Sequence, residues 1–94
     1  MADQANKIQV KMPEQLQGGA YSNNLVIAHN KEEFIMDYIF VVPPTGTVTA
    51  RVITSPGHMK RIVKALQRSL EKYEDTFGEI QEIPEQKLQL GYKH

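Results

Sequence analysis

The chain has 94 residues, 40% of them hydrophobic and 23% charged, with eleven basic and eleven acidic side chains and no cysteine. One domain fits this length, and a chain so short buries only about 60–65% of its unfolded surface. The composition excludes a disulfide framework, a thiolate nucleophile and a cysteine metal site, and zero formal net charge argues against general nucleic-acid binding, which depends on phosphate neutralisation.

The opening residues Met1 to Lys7 lack the apolar run of a secretion signal. No apolar stretch approaches the roughly 20 residues that span a bilayer. A cytoplasmic protein with no membrane partner is the expectation. Residues 1–6 are polar and read as a flexible N-terminus.

Lys7 to Met12 alternates, with Ile8, Val10 and Met12 on one face and Lys7, Gln9 and Lys11 on the other. This predicts a half-buried strand that ends at Pro13. Glu14 to Gly19 reads as a loop. A second strand runs from Tyr21 to Ala28, weakened at Asn23-Asn24 because Asn is depleted in strands. His29 to Glu32 is a turn of hairpin length.

Phe34 to Val42 follows and is apolar on both faces. Phe34, Met36, Tyr38, Phe40 and Val42 share one face, and Ile35, Ile39 and Val41 flank Asp37 on the other. Pro43 to Gly46 closes the strand. A last strand, Thr47 to Thr54, carries Val48, Ala50 and Val52 on one face and Thr49, Arg51 and Ile53 on the other. Matching the apolar faces of these two strands requires an odd loop or a bulge at the Pro-Pro turn, and it brings Asp37 near Arg51. A structural ion pair is the stronger reading of Asp37, because buried charges are paired. A catalytic Asp lacks an accompanying base, nucleophile or metal set.

The helix has the clearest signals. Ser55 suits an N-cap, Pro56 the first turn and Gly78 the C-terminal cap. Met59, Ile62, Val63, Leu66, Leu70, Tyr73 and Phe77 make one apolar stripe, about 100° wide. One such stripe covers one sheet face. The other face of Phe34–Val42, with Ile35, Ile39 and Val41 as candidate interface residues, is left for a second copy of the chain. Residues 79–94 read as a tail after a single domain over 7–78.

Opposite the stripe lie Lys60, Arg61, Lys64, Arg68 and Lys72, while Glu74 and Asp75 sit near the helix end. This layout opposes the helix dipole, and each like-charge neighbour costs about 0.2–0.5 kcal/mol. A solvated face is the plainer explanation. The sharper one makes Lys60, Arg61, Lys64 and Arg68 a face for an acidic partner, which could be a neighbouring subunit's Glu-rich tail or a nucleic acid.

His29, His58 and His94 do not form a ligand set by spacing. There is no Gly-rich phosphate loop, Gly-x-Ser-x-Gly or His-Glu-x-x-His. No catalytic residue, metal or cofactor is expected, and the chain reads as a non-enzyme.

Several stretches carry a family resemblance: Tyr21-Ser22-Asn23, His29 to Phe34 followed by Asp37-Tyr38, Thr49 to Val52, Ser55 to His58 with Lys60-Arg61, and Tyr73-Glu74 with Phe77-Gly78. Through them the run Ala20–Phe77, about two thirds of the chain, resembles a family of small bacterial proteins catalogued as a domain of unknown function, number 3467. It departs from the pattern at Asn24 and around the Pro43-Pro44 loop. The resemblance implies a strand-rich domain ending in a long helix and assigns no activity. The order of elements is also similar to that of SecB-type export chaperones, which are oligomeric and bind unfolded chains; this is a fold-level analogy.

The expected architecture is α+β: an antiparallel meander of three or four strands, then one long C-terminal helix packed on one sheet face. The leading functional expectation is a homo-oligomeric interaction module, a homodimer or larger. A nucleic-acid-binding dimer using the basic helix face and a SecB-like peptide-binding chaperone are the alternatives.

Overall fold

A computed structural model describes residues 6–83 and 88–93. Most of the expected flexible N-terminus, residues 84–87 of the expected tail and His94 lie outside the described residues. The chain divides into two units, residues 1–59 and 60–94.

The first unit holds a three-stranded antiparallel sheet in the order β1-β2-β3, with β1 Asn24–His29, β2 Phe34–Val42 and β3 Thr45–Thr54. The second unit holds most of the helix α1, Pro56–Phe77. The class is α+β, with three antiparallel strands followed by one C-terminal helix.

Lys7–Met12 does not form the expected strand. Alternation specifies which side chains share a face, but a strand exists only when a neighbour completes its ladder. Ile8 and Val10 remain 82% and 88% exposed. A short 3-10 turn, Glu14–Leu16, follows, and Gly19 then takes a positive φ of 75°.

Both hairpin turns have local causes. Between β1 and β2, the Asn30 side-chain oxygen accepts from the Glu32 and Glu33 N–H groups at 2.8 and 2.9 Å, and the Asn30 N–H donates to the Glu33 carbonyl. This is an Asx-type turn, in which a side-chain oxygen mimics the backbone. Between β2 and β3, Val42 pairs with Thr45, leaving Pro43 and Pro44 as the two-residue connection, with a cis peptide bond between them.

The weak start of the second strand is resolved by Asn23. Strand β1 begins one residue later, at Asn24. The Asn23 N–H donates to the Ile39 carbonyl. Its side-chain amide then donates to the Val41 carbonyl at 2.9 Å and accepts the Val41 N–H at 2.8 Å. The amide thus completes the ladder where the backbone turns away, satisfying both backbone groups of a central-strand residue.

The bulge lies inside β3 rather than at the Pro-Pro turn. Tyr38 pairs with Ala50 and Ile39 with Val48, so Thr49 is the extra residue. The Thr49 hydroxyl donates to the Tyr38 carbonyl at 3.1 Å. One face therefore joins Met36 to Val52 and Tyr38 to Ala50, while Val48 crosses to the face of Asp37, where it meets Ile39. That corrects the expectation that Val48 shares a face with Ala50 and Val52: a bulge shifts the alternation by one residue.

β2 is the strand with neighbours on both sides, and it supplies the core. Among the described residues the buried apolar side chains are Met36, Ile39 and Val41. Gly46 faces Val41, where an added Cβ would lie 3.3 Å from a Val41 methyl. The missing side chain lets Val41 and Ile39 lie against the β3 backbone.

Replacing Asn23 by Ala removes both side-chain bonds to Val41. Each hydrogen bond is worth about 1 kcal/mol net, so chemical denaturation of Asn23→Ala is expected to show a loss of about 2 kcal/mol; unchanged stability would contradict the ladder role of this amide.

Candidate interaction surfaces

Asp37 lies at the centre of β2 and is buried to 4% exposure. Arg51 stands directly opposite on β3. Its Nε donates to Asp37 Oδ1 at 2.7 Å and its Nη2 to Oδ2 at 2.8 Å. The pair is bidentate, the strong geometry for guanidinium and carboxylate. The acid is covered, whereas the Arg51 side chain is 54% exposed. Arg51 thus engages both carboxylate oxygens of Asp37. No group of three or more His, Asp or Glu residues that could hold a metal ion is present among the described residues.

The candidate interface residues divide. Ile39 and Val41 are already buried within the chain, and Ile35 is half-buried. These offer a partner little area. On the same face Ile53, paired with Ile35, is 55% exposed. The opposite face has Leu25 and Ile27 at 48% and 50% exposed, beside Tyr38 and Met36. Tyr21 packs edge-on against Phe40, with ring centroids 5.6 Å apart.

The helix is capped as the sequence indicates. The Ser55 hydroxyl oxygen accepts from the His58 N–H, and the Ser55 carbonyl accepts from Met59. At the other end Gly78 takes a φ of 95° and donates to the Glu74 carbonyl. The Glu74 carboxylate accepts from the Ile80 N–H at 2.9 Å. Glu74 is thus partly a helix-end cap, a role that spacing alone did not reveal.

Between these caps no helix residue is buried. Along the stripe Met59 and Ile62 are half-buried, and Val63, Leu66, Leu70, Tyr73 and Phe77 are 45%, 63%, 51%, 49% and 73% exposed. Lys60, Arg61, Lys64 and Arg68 are exposed as well. At about 100° per residue Arg61, Lys64 and Arg68 lie on the side opposite the stripe, and Lys60 lies at the edge between the two. The other candidate ligands are scattered: His29 stacks on Phe34 at 5.2 Å, and His58 sits in the first helical turn. Among the described residues no helix is long and apolar enough to cross a membrane.

Removing one partner of the ion pair isolates its role. Arg51→Leu leaves a buried carboxylate without its guanidinium, at a cost of about 2–3 kcal/mol, and adding Asp37→Val should recover most of that loss. Equal destabilisation in the single and double variants, measured by denaturation, would contradict this account.

Neither the comparison with curated proteins nor that with solved structures finds a match. A family model described as protein of unknown function (DUF3467) matches residues 1–82. With the match spanning the sheet, the Asp37–Arg51 pair and the whole helix, the chain belongs to the DUF3467 family.

Proposed function

We propose that this protein is a non-enzymatic, homo-oligomeric interaction module. The observation that supports the reading is the apolar surface the folded chain leaves uncovered. Its buried apolar core among the described residues is Met36, Ile39 and Val41, while Leu25, Ile27, Ile53 and five residues of the helical stripe stay roughly half exposed or more. Single exposed apolar residues are ordinary, but contiguous ones mark interaction sites. Here Val63, Leu66, Leu70, Tyr73 and Phe77 follow one another along a helix, and Leu25 and Ile27 are neighbours on one sheet face.

A second copy is the economical partner. Identical chains carry the same surplus, and two-fold pairing buries both at once. The buried Asp37 supports a binding role over a chemical one, because Arg51 occupies both carboxylate oxygens.

Light scattering at micromolar concentration is expected to give a dimer or a larger species. A monomer under those conditions would remove the proposal.

A further inference from the structure

Six of the apolar residues of α1 follow a stricter rule than amphipathicity, with Ile62 and Ala65 outside it. Met59, Val63, Leu66, Leu70, Tyr73 and Phe77 are separated by steps of four, three, four, three and four. That is a heptad seam: Val63, Leu70 and Phe77 occupy a positions, and Met59, Leu66 and Tyr73 occupy d positions. An average step of 3.5 keeps a seam facing another helix, whereas a helix on a sheet has no need of it. The five of these residues from Val63 onward are all 45% or more exposed.

The flanking residues choose the direction. With this assignment Lys60, Gln67 and Glu74 fall at e, and Ile62, Ser69 and Thr76 at g. In a parallel pair, e meets g of the partner, which joins Gln67 to Ile62 and Glu74 to Ser69 and neutralises no charge. In an antiparallel pair, e meets e and g meets g. Lys60 then faces the partner's Glu74 at both ends, and Gln67 faces its own copy at the centre. The remaining Glu74 oxygen, Oε1, is available to Lys60 while Oε2 accepts from Ile80.

The same alignment sorts the core by size. Tyr73 meets Val63, Phe77 meets Met59 and Leu66 meets Leu70, so each aromatic ring faces a smaller side chain. A parallel pair would set Tyr73 against Tyr73 and Phe77 against Phe77, although these rings already pack on each other along one helix at 5.0 Å. The antiparallel arrangement also accounts for the two charges that flank the seam. Lys60 near the start of the helix and Glu74 near its end oppose the dipole of a lone helix, but in an antiparallel pair each lies beside its complement. The dipoles then also oppose each other favourably.

We propose that two copies associate through α1 as an antiparallel helix pair, with Val63–Tyr73, Leu66–Leu70 and Met59–Phe77 layers and a Lys60–Glu74 ion pair at each end. This rests on the homo-oligomer reading and assigns its interface.

The chain has no cysteine, which makes disulfide mapping of the full-length protein direct. Under mild oxidation Gln67→Cys is expected to form a covalent dimer with itself. Lys60→Cys and Glu74→Cys should each remain uncrosslinked alone and join when mixed. Lys64→Cys, on the opposite face, controls for random collision and should stay uncrosslinked. Leu66→Lys should weaken self-association at least about tenfold, the effect of losing roughly one leucine contact to each partner, with the far-UV circular dichroism retained. If light scattering gives an oligomer but the Lys60→Cys and Glu74→Cys mixture does not join, or Lys64→Cys crosslinks as readily as Gln67→Cys, the helix pair is wrong and the homo-oligomer reading stands. If light scattering gives a monomer, both fall.

Discussion

The structure depends on one central strand that must bury apolar side chains on both faces and a charge between them. β2 has neighbours on both edges, and Met36, Ile39 and Val41 in it are the buried apolar core among the described residues. Asp37 would be intolerable there alone, since an unpaired buried carboxylate costs several kcal/mol. Arg51 removes that penalty by reaching across from β3 with two short bonds. The register that makes the pair also aligns Met36 with Val52 and Ile35 with Ile53. A one-residue slip would lose the ion pair and mix the faces together. Asp37 therefore acts as a register pin as well as a tolerated charge.

The core that this strand supplies is small. Among the described residues three buried apolar side chains stand against the conformational entropy of ordering a domain, which amounts to roughly 1–2 kcal/mol per residue for the backbone alone. Other apolar residues remain about half exposed or more, among them Leu25, Ile27 and Ile53 on the sheet and Leu66, Leu70 and Phe77 on the helix. Short chains of this kind gain stability by association. The zero net charge has a related meaning. The charges on the helix are unevenly placed: Lys60, Arg61 and Lys64 crowd its first half while Glu71, Glu74 and Asp75 lie in its last two turns, an arrangement that weakens a lone helix and that the pairs Arg68–Glu71 and Lys72–Asp75 offset in part.

Much of this was legible in the sequence because the signals are local. Ser55 and Gly78 marked the helix ends, Asn30 marked a turn, and the two-faced run Phe34–Val42 marked the central strand. The Asp37–Arg51 pairing was also readable, since the apolar faces of β2 and β3 align in few ways. Other features depend on partners that spacing does not reveal. Lys7–Met12 has the alternation of a strand but no ladder. Asn23 looked unfavourable by propensity, yet its amide substitutes for backbone at Val41. Thr49 read as an ordinary strand residue; its hydroxyl bond to Tyr38 and the bulge moved Val48 to the other face. The helical stripe was visible as amphipathic, while its heptad spacing acquires meaning beside the exposure of Val63, Leu66, Leu70, Tyr73 and Phe77.

An association that completes the fold couples stability to concentration, because only the assembled state buries the remaining apolar surface. The most direct test is the thermal midpoint of the full chain followed by circular dichroism over about a hundredfold range of protein concentration. The account predicts a midpoint that rises steadily with concentration. A midpoint that stays constant across the range, with a single cooperative transition, would show a chain that is complete alone and would contradict it.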